Sequence, residues 1–424
     1  MSDEKSQKPS ADEVPEDERP TDEELENEDE ASEELTPAQR RAFGAVMQGL
    51  TKLTRMISEC DSTFSAGPIS FRFVRQLEQR TNGLQVLLFE RHLRHGPPGY
   101  VVVKRLLSPQ SFELRHRLRE EVQLAFRLHH PGIAQVHHFK VIEGQPHVVM
   151  EYVDGPTFDS LLSAAAMRSQ PLPAPFALYV LAEVAEALHY AHTLTESEEG
   201  GRPLEIIHRD ASPRNIRVSR KSGAVKLTDF GAAFSQRVGR EETPEKLVKG
   251  DVLYASPEYL HQDPMDARSD IFCLGLVLLE ALTSAHLFDL GHLPDTGAAP
   301  VNIVADEQPS VPLTQMMKLV DRYGPEDVER TAASLPAGLK AILHKALKRD
   351  PAQRYATAAE LLQELRAQLF ALAPGYGRKQ AAEDVERLLS EASALRDVAE
   401  PVEPGLYPDG LEAHELTAGK AGGA

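Results

Sequence analysis

Between Ile207 and Gly231 the chain reads IHRDASPRNIRVSRKSGAVKLTDFG, two short apolar runs closed by polar loops that each carry a carboxylate. His208-Arg209-Asp210 is followed by Asn215, and Asp229-Phe230-Gly231 forms the second loop. Carboxylates can accept or steer a proton, and the oxygens of Asp and Asn are ligands for hard cations. An isolated Asp in a loop more often closes a turn or caps a helix. Two such motifs in order, on adjacent apolar runs, favour chemistry over turn-making.

Composition narrows the classes. The chain has 424 residues and a formal net charge of −19, from 65 acidic and 46 basic side chains. Its length suggests one large domain with flanks. The negative balance repels nucleic-acid phosphates and anionic lipid, so neither is an expected partner. Cys60 and Cys273 are too few for a disulfide framework and are not spaced as metal ligands, which points to a reducing, cytoplasmic setting. The N-terminus is acidic where a signal peptide would be apolar. The most apolar run, Ile271 to Leu282, is interrupted by Glu280 and reads as a buried core helix rather than a membrane span.

The elements that must position the two loops follow from periodicity. Residues 1–36 are rich in Asp, Glu, Ser and Pro and form a disordered acidic leader. Residues 37–66 hold an amphipathic helix, with Phe43, Val46, Met47, Leu50, Leu53 and Ile57 in step, and a linker. The spacing assigns this helix to the following domain, with a partner-binding role for it or for the leader as the competing reading. Phe71 to Leu77, Leu84 to Phe89, Tyr100 to Leu106 and Val148 to Val153 are strand-like. Helices are expected from about Gln110 to Leu128 and from Pro173 to Leu194. Residues 371–424 read as a helical to flexible tail.

The two loops resemble the catalytic and metal-binding loops of the protein kinases, and the catalytic loop is similar to that of bacterial Hanks-type serine/threonine kinases. The resemblance covers residues 68–370. It implies an α+β, bilobal fold with a small β-rich lobe and a larger helical one. It further implies an ATP- and Mg2+-dependent enzyme (Mn2+ being an alternative) that phosphorylates Ser/Thr hydroxyls of protein substrates in signalling. Asp210 would steer the hydroxyl proton, Asn215 and Asp229 would bind the metal, and Lys104 in Val102-Val103-Lys104 would grip the phosphates with Glu121 as its ion-pair partner. Leu77, Gly83, Val102, Glu151 and Val153 would surround the nucleotide, with Met150 at the gatekeeper position. Asp270 would brace the catalytic loop, and Arg354 would pair with Glu258. Thr243 and Ser235 would be activation-loop phosphosites, or Glu241, Glu242 and Glu245 would supply constant charge there.

Several positions depart from that family's pattern. The glycine-rich phosphate loop reads Glu78-Gln79-Arg80-Thr81-Asn82-Gly83 and keeps only its last glycine. Ser212 replaces a lysine, Arg217 replaces an apolar residue beneath the adenine, and Asp251 replaces a threonine. Ser212 and Asp251 would converge on Asp210 and compensate each other. These departures sustain a second reading, a pseudokinase scaffold that signals by shape. A third is a small-molecule kinase on the same fold.

Overall fold

β-branched runs build the strands, and near-continuous apolar runs build the helices. The computed structural model describes residues 63–66, 69–79, 84–93, 98–106, 122, 124–142, 145–195, 201, 203–230, 234–235, 252–288 and 313–399. Its strands are β1 (Thr63–Ala66), β2 (Ile69–Gln79), β3 (Leu84–Leu93), β4 (Gly99–Leu106), β5 (Val136–Ile142), β6 (Gln145–Glu151), β7 (Ile206–Ile207), β8 (Ile216–Val218), β9 (Val225–Leu227) and β10 (Phe234–Ser235). The leader and the 37–57 helix lie outside the described residues, as does most of the helix expected over 110–128.

The chain forms two compact units, residues 1–74 with 89–99, and residues 75–88 with 100–424. In the first, β1 pairs antiparallel with the start of β2, Thr63 opposite Arg72 and Ala66 opposite Ile69. Arg72 donates from Nε to Glu90 at 2.9 Å, and the rings of Phe73 and Phe89 meet edge-on.

In the second unit the strands stand in the order β2-β3-β4-β6-β5. Val101, Val102 and Val103 of β4 are all buried, so this strand is covered on both faces. β4 runs antiparallel to β6 with Lys104 opposite Val148 and Val102 opposite Met150. This register sets Val101, three residues before the strand lysine, opposite Glu151 at the end of β6.

The helical part is built around two helices buried on nearly all sides, α2 (Ala174–Thr193) and α4 (Arg268–Thr283), with α1 (Phe158–Met167) and α3 (Pro257–His261) preceding them. The run from Ile271 to Leu282 lies within α4, and every residue of it except Glu280 is buried. Gly275 permits close contact there, because a Cβ would sit 2.9 Å from the Leu347 side chain. α5 (Leu313–Arg322), α6 (Pro325–Thr331), α7 (Ala337–Ala346), α8 (Ala358–Leu372) and α9 (Arg378–Ala399) complete the chain. Two helices, α5 and α6, thus form within the Pro- and Gly-punctuated stretch 284–335. Pro325 sits in the first turn of α6, where its missing N–H costs no hydrogen bond. The helical part of the expected tail, α9, is packed into the core through Ala381, Val385 and Leu388. No helix among the described residues is long and apolar enough to cross a membrane.

Candidate active site

The first loop hangs between two buried strands, β7 and β8, whose Ile206, Ile207, Ile216 and Val218 all face the core. Its conformation is set from below by Asp270, in the first turn of α4. The backbone N–H groups of His208 and Arg209 donate to Asp270 Oδ2 and Oδ1 at 2.9 and 2.8 Å. His192 Nε2 lies 2.8 Å from Oδ2. Burial opposes ionisation of this fully buried carboxylate, yet the His192 contact and the His208 donor hold its pKa below the usual value. Arg209 takes a left-handed φ of 67°, a strained backbone that the Asp270 bonds maintain.

Asp210 and Asn215 are brought together across the short helical turn Pro213–Asn215. Asn215 Nδ2 donates to both the backbone oxygen and Oδ2 of Asp210, each at 2.8 Å. The amide is thereby oriented with its oxygen available as an acceptor. Ser212 is buried beside this pair, and its Oγ makes no hydrogen bond to any of the described residues. Asp251, its expected counterpart, lies outside the described residues.

The second loop is tied to the first. Thr228 donates from its backbone and from Oγ1 to the Asn215 carbonyl at 2.8 and 3.1 Å. The His208 ring meets Phe230 edge-on at 4.5 Å and reaches the Thr228 carbonyl through Nε2 at 3.2 Å. Asp229 follows with φ 61°, left-handed like Arg209, and its Oδ2 lies 3.1 Å from Lys104 Nζ. The cation on β4 and the carboxylate after β9 therefore share one site. Glu121 and Gly83 lie outside the described residues, as do Thr243, Glu241, Glu242 and Glu245. The Ser235 backbone lies in β10, opposite Ile206.

Val102 packs with Val86 and Met150, and Leu77 and Tyr152 close on this cluster. The adjoining segment Glu151–Gly155 is held by side chains that the sequence reading did not single out. Lys226 Nζ lies 2.8 Å from both Glu151 oxygens, and Ser219 Oγ donates to Asp154 Oδ1 at 2.6 Å. Alternation along β8 and β9 was the available signal. Ile216, Val218, Val225 and Leu227 turn to the core, which leaves Arg217 and Lys226 on the opposite face, directly across from each other. Arg217 is engaged by the Gly155 carbonyl, to which Nη1 donates at 2.9 Å.

Below the loops, Arg354 Nη1 and Nη2 grip Glu258 Oε1 and Oε2 at 2.7 and 2.9 Å, the pairing expected from sequence. A protein kinase domain matches residues 94–365. This chain belongs to the protein kinase family. Among its relatives, the tyrosine-protein kinase MasK of Myxococcus xanthus (strain DK1622) is 34% identical over 263 residues, 61% of this chain and 36% of that protein. The serine/threonine-protein kinase PknB of Mycobacterium tuberculosis (strain ATCC 25618 / H37Rv) is 35% identical over 265 residues, covering 61% and 36%. PknB of Mycolicibacterium smegmatis (strain ATCC 700084 / mc(2)155) is 33% identical over 301 residues, covering 70% and 41%. The chain thus spans little more than a third of the length of the first two. The likeness to PknB makes it a kinase of the eukaryotic-like bacterial type. The expected combination of β-sheet lobe and helical lobe is that of the family.

Proposed function

We propose that this kinase domain is active and transfers the γ-phosphoryl group of ATP to serine or threonine hydroxyls of proteins. The observation that carries the reading is the 3.1 Å contact of Lys104 with Asp229, in a site where Asn215 also holds Asp210. A scaffold without catalysis has no chemical need for all four groups. Lys104 would neutralise phosphate oxygens in the ground state and as charge develops. Asp210, its carboxylate held by Asn215, would accept or steer the proton of the attacking hydroxyl. Val102, with Leu77 above and the Glu151–Val153 backbone at the edge, would enclose the adenine.

Protein kinases use a divalent cation, and the donor set here suits one. Asp229 and the Asn215 amide oxygen are hard oxygen ligands, few enough for Mg2+, which keeps several waters and shares phosphate oxygens. Mg2+, with Mn2+ as the alternative, would supply charge neutralisation between the phosphates.

The test is incubation of the purified full chain with labelled ATP and either Mg2+ or Mn2+, followed by phosphoamino-acid analysis, beside Asp210→Asn. Label on serine or threonine, absent from the variant, is the expected result. Label confined to tyrosine would overturn the hydroxyl assignment in favour of the specificity named for MasK. No label on any protein substrate, with none on the chain itself, would overturn the activity.

A further inference from the structure

Helix α9 begins beyond the matched kinase domain, yet it reaches the segment that follows β6. The link is the turn between β8 and β9. Arg220 donates from Nε and Nη2 to the two Glu386 oxygens at 2.6 and 2.9 Å, a bidentate pair. The same residue donates its backbone N–H to the Asp154 carbonyl at 3.1 Å. One residue therefore joins α9 to the nucleotide-side segment through two different groups.

The surrounding fit is close. Gly223 has φ 64°, and a Cβ there would lie 1.9 Å from the Arg378 carbonyl at the start of α9. Gly155 comes equally near on the other side, with a Cβ 1.9 Å from the Val218 carbonyl. Tyr179 Oη donates to the Gly223 carbonyl at 3.0 Å and stands against the Tyr376 ring. A second grip is at the end of α1, the helix that follows the segment, where Arg168 Nη2 lies 2.7 Å from Glu391 Oε2. Between these contacts Ala381, Val385 and Leu388 are fully buried.

We propose that Arg220 and Glu386 are positioning residues for nucleotide binding, through which α9 fixes the Glu151–Gly155 segment. The inference rests on the reading that this segment borders the adenine. A helix that only added stability would need its apolar face. It would not need a paired charge on a residue whose own backbone holds Asp154.

The experiment measures KM for ATP and kcat on the full chain, well below its melting temperature. Arg220→Glu and Glu386→Arg, made singly, are expected to raise KM by about threefold to fivefold with kcat within about twofold, the range open to an exposed pair. The double variant restores the pair in reverse and should return KM to within about twofold of the parent. Gly223→Ala, which forces the turn away from α9, should raise KM by about tenfold. Single variants that leave KM unchanged, or a double variant no better than the singles, would overturn the proposal. Should Gly223→Ala fail to fold, the charge reversal still decides.

Val102→Trp separates this inference from the site reading beneath it, because the added bulk fills the space beside Met150 and Leu77. If it raises KM while the pair variants do not, only the positioning role is lost. If it leaves KM unchanged as well, the adenine does not lie here and both readings fall.

Discussion

Lys104 Nζ stands 3.1 Å from Asp229 Oδ2, joining the centre of the sheet to the start of the second loop. Both side chains are partly exposed, so the pair contributes little to stability. Its value lies in where it puts charge. Asp229→Asn is suited to test this, because Asn tolerates the left-handed φ of 61° that Asp229 adopts. The substitution should lower kcat/KM by on the order of a hundredfold or more, with the melting temperature nearly unchanged. Phosphotransfer assays beside thermal melts check it. A large fall in melting temperature would make the pair structural.

Arg354 uses all five of its N–H donors. They go to both Glu258 oxygens and to the carbonyls of Arg268, Lys348 and Arg349. Arg354→Met would strand Glu258, a buried carboxylate whose other side-chain partner is Ser269. The expected cost is about 3–5 kcal/mol, read by urea denaturation. Arg354→Lys should recover little of it, since an ammonium cannot reproduce the fork. Pairing Arg354→Met with Glu258→Gln should cost less than Arg354→Met alone, because the buried charge is removed. Burial raises the Glu258 pKa, but the Arg354 bonds outweigh that and lower it. The pair therefore contributes above the usual carboxylate value and is lost on acidification below it.

Residues whose roles depend on local pattern were legible in the sequence. Val101 to Lys104 reads as a strand and forms β4. The run after Arg268 reads as a core helix and forms α4, with Asp270 placed to accept from His208 and Arg209. Arg354 and Glu258 were paired by their motifs. Contacts set by tertiary approach were not legible. Nothing near Lys226 in sequence announces Glu151, and nothing near Arg217 announces the Gly155 carbonyl. α9 carries its buried face on only Ala381, Val385, Leu388 and Ala392, spaced among Glu and Arg, a pattern as compatible with a solvated tail as with packing.

His286 provides a pH-dependent test. Its pKa is lowered from 6.5 to about 4, chiefly by burial. The unfolded chain would take up a proton near pH 6.5, whereas the folded chain does so only near pH 4. The unfolded state binds more protons in this window, so stability falls as pH drops from 6.5 towards 4. His286→Asn keeps an acceptor for the Phe288 N–H, now made at 3.2 Å by Nδ1, and removes the titration. Its melting temperature should fall less across that window than the parent's. Identical pH profiles would show that His286 is not the responsible group.

Asp270 offers the sharpest separation of geometry from binding. It touches neither expected ligand residue, yet it accepts the two N–H groups that shape the chain just before Asp210. Asp270→Asn puts an NH2 group where one of those donors now finds an oxygen, and the His192 contact loses its charge. The strained φ of 67° at Arg209 then loses part of its support, and Asp210 shifts. Misplacing a proton acceptor by a fraction of an ångström should lower kcat by about tenfold to a hundredfold. KM for ATP should stay nearly constant, since Lys104 and the Val102 cluster are held by the sheet. Steady-state kinetics with ATP varied at saturating peptide distinguishes the two effects. Equal changes in kcat and KM would mean that Asp270 braces the whole site rather than the catalytic loop.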